Sequence, residues 1–118
     1  EPRDLLVNVR SYQIVQVLVN LVNNAVDAIS ELEEKWICIK VIPKGPQQVV
    51  ILIVDSGSGI SEKILPKIFD PFFSTKSVQY GTGLGLSISQ SLIQKNDGEL
   101  SYVKEASNTT FSIVLPLS

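Results

Sequence analysis

The chain has 118 residues, 44% of them hydrophobic and 19% charged, with a formal net charge of −2 and a pI near 5.0. That length holds one compact domain (residues 1–118 as a single unit), and the composition is globular, not disordered. The acidic balance argues against nucleic acid or an anionic membrane as partner, because both demand dense positive charge. The single Cys38 excludes an internal disulfide and, with no histidine present, a zinc site built from the usual ligands. It also fits a reducing compartment, so we expect a cytoplasmic location. No apolar run reaches the roughly 20 residues of a membrane span, and there is no signal-peptide pattern. The opening Glu1-Pro2-Arg3-Asp4 carries no initiator Met. We expect a piece of a longer protein, whose parent can still be membrane-anchored.

In chain order, Leu5 to Val9 alternates enough for a short strand or an extended lead-in. From Tyr12 to Leu32 the period is helical. At about 100° per residue, Ile14, Val17, Leu18, Leu21, Ala25, Ala28 and Ile29 fall in one apolar arc. Gln13, Gln16, Asn20, Asn23, Asn24 and Asp27 fall in the opposite arc, which is rich in amides and poor in the Lys and Glu that normally solvate a helix. Trp36 to Ile42 and Gln48 to Val54 read as strands joined by a turn at Pro43-Lys44-Gly45-Pro46. The second strand is apolar throughout, as a central strand covered on at least one face would be. Asp55-Ser56-Gly57-Ser58-Gly59-Ile60 is a turn, and Ser61 can cap a short helix to about Ile68. Phe69 to Tyr80 has no period and reads as a loop. After Gly81-Thr82-Gly83-Leu84-Gly85 a second helix runs to about Lys95, stopped by Asn96-Asp97-Gly98. Glu99 to Lys104 and Thr109 to Leu115 close the chain as a hairpin. This order suits helices packed on one face of a mixed sheet.

Four stretches carry residue types suited to chemistry. Asn20, Asn24 and Asp27, at i, i+4 and i+7, share one helical face. An Asn carbonyl oxygen is a neutral hard ligand for Mg²⁺ already held by phosphate; the same face can equally be solvated, or form a helix–helix hydrogen-bond stripe. Asp55 at a strand end can accept an exocyclic amine while Gly57 and Gly59 admit a close base, or the segment is an ordinary Asp-Gly turn. The glycines of 81–85 open a helix, where unpaired N–H groups and the helix dipole favour an anion. No Gly-Lys-Ser/Thr follows, so it is not a P-loop, and Leu86 spoils the dinucleotide fingerprint. A flexible hinge is the alternative. Phe69-Asp70-Pro71-Phe72-Phe73-Ser74-Thr75-Lys76 sets aromatics beside a cation able to reach phosphate, or forms a satellite apolar cluster with a solvated Lys.

Taken in order, these stretches resemble the nucleotide-binding boxes of bacterial sensor histidine kinases. Gln16 to Ala25 is similar to the N box, Asp55 to Ile60 to the first glycine box, Phe69 to Phe73 to the F box and Gly81 to Leu86 to the second glycine box. Thr109-Thr110-Phe111 with Leu115-Pro116 resembles the closing strand. The resemblance implies an α+β fold of two layers: a mixed, mostly antiparallel sheet with helices on one face, shared with type II topoisomerases, Hsp90 chaperones and mismatch-repair ATPases. It implies ATP and Mg²⁺ as ligands, Asn24 as the metal ligand, Asp55 as the adenine acceptor and Thr110 near the base. Gly57, Gly59 and Ile60 would line the base, and Gly81, Thr82, Gly83, Leu84 and Gly85 would cradle the phosphates. Phe73, Thr75 and Lys76 would approach from the short lid, which looks like the nitrogen-regulation type. Asp27 stands where such kinases often carry Lys or Arg, so water or sugar is the partner it implies. Glu105-Ala106-Ser107-Asn108 departs from the Gly-rich turn common before the last strand, and the chain is expected to begin late, without the family's first strand.

Asn20 stands where ATP-hydrolysing relatives carry Glu as general base, and an amide cannot take that proton. With Lys76 neutralising charge, the implied reaction is γ-phosphoryl transfer to a histidine on a separate dimerisation helix hairpin, and from there to a response regulator receiver domain. The chain contains no histidine, so the acceptor must lie elsewhere. The implied parent is a homodimer through that hairpin. Two other readings stay open: an ATPase of the same fold that drives a conformational cycle, and a degenerate module that only docks partners.

Overall fold

The computed structural model describes residues 11–70 and 85–117. The expected strand at Leu5–Val9 and most of the loop after Phe69 lie outside them.

The first helix, α1, covers Ser11–Ala28. Its apolar arc lies against the sheet, with Val17 and Leu21 essentially inaccessible. It stops short of the expected Leu32. The Ser30 hydroxyl donates to the Asp27 carbonyl at 2.9 Å, and Ser30 and Leu32 take tight bonds to the residues three before them. A serine that bonds the backbone locally competes with the helix ladder.

Strands β1 (Ile37–Lys44) and β2 (Gln48–Asp55) form a hairpin whose turn comes later than expected, at residues 45–47. Pro43 sits inside β1, paired with Val49. Among the described residues β1 is an edge strand, where Pro is tolerated: the sheet order is β1-β2-β4-β3, where β3 is Glu99–Tyr102 and β4 is Thr110–Pro116. β3 is trimmed relative to the sequence reading, ending before Lys104, and β4 is shifted by one residue from the expected Thr109–Leu115. Each ladder among the described residues is antiparallel. As expected, β2 is central.

Between sheet strands the expected helix from Ser61 to Ile68 shrinks to a single 3₁₀ turn, Leu65–Lys67. Pro66 has no N–H to continue an α ladder, and the Ser61 hydroxyl accepts from Lys63 N–H at 3.1 Å instead of capping a longer helix. The second helix, α2, covers Gly85–Lys95. It ends with Asp97 in the left-handed region (φ 63°) and Gly98 N–H bonded to Ile93 O at 2.9 Å, a Schellman-type closure.

Two layers result. Register pairs Val49 with Leu115, Ile51 with Ile113 and Ile53 with Phe111, so the odd-numbered residues of β2 and β4 share the face that meets the helices. The core joins Ile14, Val17 and Leu21 of α1 and Ile93 of α2 to Val49, Ile53, Leu100, Ile113 and Leu115 of the sheet. Each such side chain contributes about 1.5–3 kcal/mol on burial. The layer arrangement expected of the resemblance is the one observed.

Candidate functional site

The polar arc of α1 turns toward α2. Asn20 donates its amide to the hydroxyl of Ser89, a fully buried residue of α2, at 3.3 Å. One turn nearer the N-terminus of α2 lies Gly85, the last glycine of the 81–85 stretch. Asn20 is thereby held beside the opening turn of α2, where unpaired N–H groups and the helix dipole favour an anion. Two turns before it in α1, Gln13 accepts from Asn96 Nδ2 at 2.9 Å, in a buried pair that ties the start of α1 to the end of α2. Part of the amide-rich arc is therefore a helix–helix stripe. Asn24 and Asp27 lie further along it, half-buried, and both are hydrogen-bonded or otherwise engaged.

The donors on this face fit a divalent cation of one kind. Amide oxygens at Asn20 and Asn24 are hard and neutral, and among the described residues no three His, Cys, Asp or Glu gather as a metal cluster. A cation there must bring its counter-charge with it, as Mg²⁺ chelated by phosphates does.

The second half of the site stands at the end of β2. Asp55 is only 4% exposed. Burial pushes its carboxyl above the usual carboxylate range, while hydrogen bonds from Gly57 N–H (2.7 Å) and the Thr109 hydroxyl pull partly the other way. Gly57 has a steric duty: a Cβ there would lie 2.8 Å from the Asp55 carboxylate and 2.9 Å from Thr109 Oγ1. Gly59 has a conformational one, at φ 108°. The turn is fastened by the loop before β4. Asp55 N–H donates to Thr109 O at 3.0 Å, and Thr109 N–H and Asn108 Nδ2 both donate to Gly57 O at 3.1 Å. Gly59 N–H donates to Thr109 Oγ1 at 3.0 Å, and Ile60 N–H to the Tyr102 hydroxyl at 2.9 Å.

The residue beside Asp55 is thus Thr109. Its neighbour Thr110 donates its hydroxyl to Asn108 O at 2.9 Å, and in the β2–β4 ladder it pairs with Val54. Phe69 of the F-box stretch packs edge-on to Phe111 (6.4 Å between centroids), which meets Tyr102 in turn at 5.4 Å. Phe73, Thr75, Lys76, Gly81, Thr82, Gly83 and Leu84 lie outside the described residues.

Comparison with known proteins shows the family to which the chain belongs. A family model described as histidine kinase-, DNA gyrase B- and HSP90-like ATPase matches residues 10–118. The chain belongs to this ATPase family. Among its relatives, the signal transduction histidine-protein kinase AtoS of Escherichia coli (strain K12) is 40% identical over 104 residues, covering 87% of this chain and 16% of that protein. Sensor protein FixL of Bradyrhizobium diazoefficiens is 36% identical over 105 residues, covering 88% and 20%. The chain spans a fifth or less of the length of these two relatives. The catalytic domain of histidine kinase ThkA, solved nucleotide-free, superposes with a TM-score of 0.82 at 35% identity, covering 98% of this chain and 75% of that one. Within the family, this is the kinase catalytic ATPase domain of the sensor histidine kinase type.

Three contacts of this ATPase domain escaped the sequence reading: Thr109, Asn108 and Tyr102. The signal for Thr109 was present, since it shares the parity of Phe111, Ile113 and Leu115, and so the face of Asp55. Asn108 and Tyr102 become neighbours of the glycine turn only across a gap of 42 residues or more.

Proposed function

We propose that this domain binds ATP with Mg²⁺ in the cytoplasm and donates the γ-phosphoryl group to a histidine on the dimerisation helix hairpin of its own homodimeric kinase, for passage to a response regulator receiver domain. The observation that carries the nucleotide reading is Asp55, a nearly inaccessible carboxylate oriented by Gly57 N–H and Thr109. A carboxylate so fixed accepts the exocyclic amine of adenine and repels a base that offers a carbonyl there. Gly57, Gly59 and Ile60 supply the main chain beside the base. Gly81, Thr82, Gly83, Leu84 and Gly85 would serve the phosphates and Phe73, Thr75 and Lys76 would approach the nucleotide, roles that rest on the family resemblance of these stretches. Asp27 serves sugar or water.

Asn20 favours transfer over hydrolysis. Its amide is committed to Ser89 and has no basic site able to activate water. Asn24 would hold Mg²⁺, which when bound neutralises the β- and γ-phosphate oxygens. The side chains position the nucleotide, and an unprotonated imidazole nitrogen of the hairpin forms a P–N bond as the P–O bond to ADP breaks. The electron pair of that bond leaves with ADP. Mixing this chain with a His-bearing hairpin and γ-labelled ATP tests the reading. Label is expected on the hairpin and absent from this chain. Phosphoramidate on this chain, or steady release of phosphate without any labelling of a hairpin, would overturn it.

A further inference from the structure

The turn that carries Asp55 is held from outside itself. Of its main-chain groups, Gly57 O takes a second hydrogen bond from Asn108 Nδ2, and Ile60 N–H is met by the Tyr102 hydroxyl. Both side chains belong to the segment from β3 into the loop before β4, distant in sequence and adjacent in space. Tyr102 is itself steadied: its ring lies 5.4 Å from Phe111 at 64°, and its hydroxyl would sit 3.2 Å from any Cβ added to Gly59. Asn108 occupies the stretch that replaces a Gly-rich turn, so the chain has a side-chain donor where a glycine would offer none.

A glycine at φ 108° followed by a residue with one anchored N–H makes a turn whose height depends on its anchors. The carboxylate of Asp55 is fixed locally by Gly57. The main chain from Gly57 to Ile60, however, is referred to the hairpin. We propose that Tyr102 and Asn108 are positioning residues for base recognition: from the β3–β4 hairpin they fix the Gly57–Ile60 main chain relative to Asp55, and so set the preference for adenine over a 6-keto purine. This rests on the nucleotide reading given above.

The test is calorimetric titration of the whole chain and of Tyr102→Phe and Asn108→Ala with ATP and with ITP, which carries a carbonyl where adenine has its amine. Losing one neutral hydrogen bond predicts an ATP affinity lower by about five-fold. ITP affinity, set mainly by the phosphates, should change less than about two-fold, so the ATP/ITP ratio falls. Equal losses for both nucleotides would mean a merely structural role and overturn the proposal, as would an unchanged ratio. If a variant fails to fold, amide hydrogen exchange at Ile60 in the other still reports. Faster exchange on loss of Asn108, with β2 unchanged, supports a turn held by the hairpin, and unaltered exchange contradicts it. Should the unsubstituted chain bind neither nucleotide, the functional reading falls as well; should it discriminate and the variants equal it, only this proposal falls.

Discussion

The two halves of the site are built on opposite principles. On α1, Asn20, Asn24 and Asp27 are set by the period of one helix, and the bond from Asn20 to Ser89 relates that face to the next helix. Around Asp55 little is local beyond the bond from Gly57: the turn is held by Thr109, Asn108 and Tyr102, 42 to 54 residues away, and through Ser56 by Glu34 and Trp36. The helical half uses neutral amides and tolerates partial exposure. The sheet half buries a carboxylate, which is costly without bonded partners. We expect the sheet half to govern which base is bound and how tightly, and the helical half to govern metal dependence and transfer.

Removing the charge at the sheet half should have the largest effect. In Asp55→Asn, ATP affinity is expected to fall by about 10- to 100-fold, the worth of a hydrogen bond to a charged group, as read by calorimetry. Stability at neutral pH should not fall with it, because the substitution relieves a buried charge. A parallel loss of folding would break the assignment of Asp55 to ligand recognition.

The helical half is sharpened by Asn24→Ala. Without magnesium its ATP affinity should match the parent; with magnesium the gain the parent shows should shrink by about ten-fold, as expected for losing a ligand or its orientation. An equal loss in both conditions would place Asn24 on the nucleotide itself.

A smaller effect separates two adjacent hydroxyls. Thr109→Val should weaken ATP binding about five-fold through the lost bonds to Asp55 and Gly59. Thr110→Val should leave binding unchanged within error in the same titration. The opposite ranking would reverse the parity reading of β4.

The smallest is a pH effect. The raised pKa of Asp55 means the native state holds a proton that the unfolded chain, near 3.8, has already lost. Across that window stability falls as pH rises, and above it the contribution is constant. Urea midpoints from about pH 4 to about pH 7 should therefore show a component in the parent that Asp55→Asn lacks. ATP binding has the opposite sign, weakening as pH falls through the same window, since adenine recognition needs the carboxylate.

How much of this was legible follows from the range of the forces. The helix of α1, the central place of β2 and the Asp97 stop of α2 reflect side-chain period and backbone preference within a few residues. Boundaries were less legible. Ser30 bonding back to Asp27 ended α1 early, Pro66 cut the expected Ser61–Ile68 helix to one turn, and Pro43 entered β1, which is an edge strand among the described residues. The last of these depends on where a strand sits in the sheet, which no local pattern records.

By itself, then, the sequence determined the elements, the stripe of amides and the position of the aspartate at a strand end, because each follows from periodicity and residue type. Only the tertiary structure decided that Thr109 and not Thr110 meets Asp55, that Ser89 orients Asn20, and that Tyr102 and Asn108 grip the glycine turn. Those are hydrogen bonds across sheet register and helix packing, and their partners are chosen by which surfaces the core brings together.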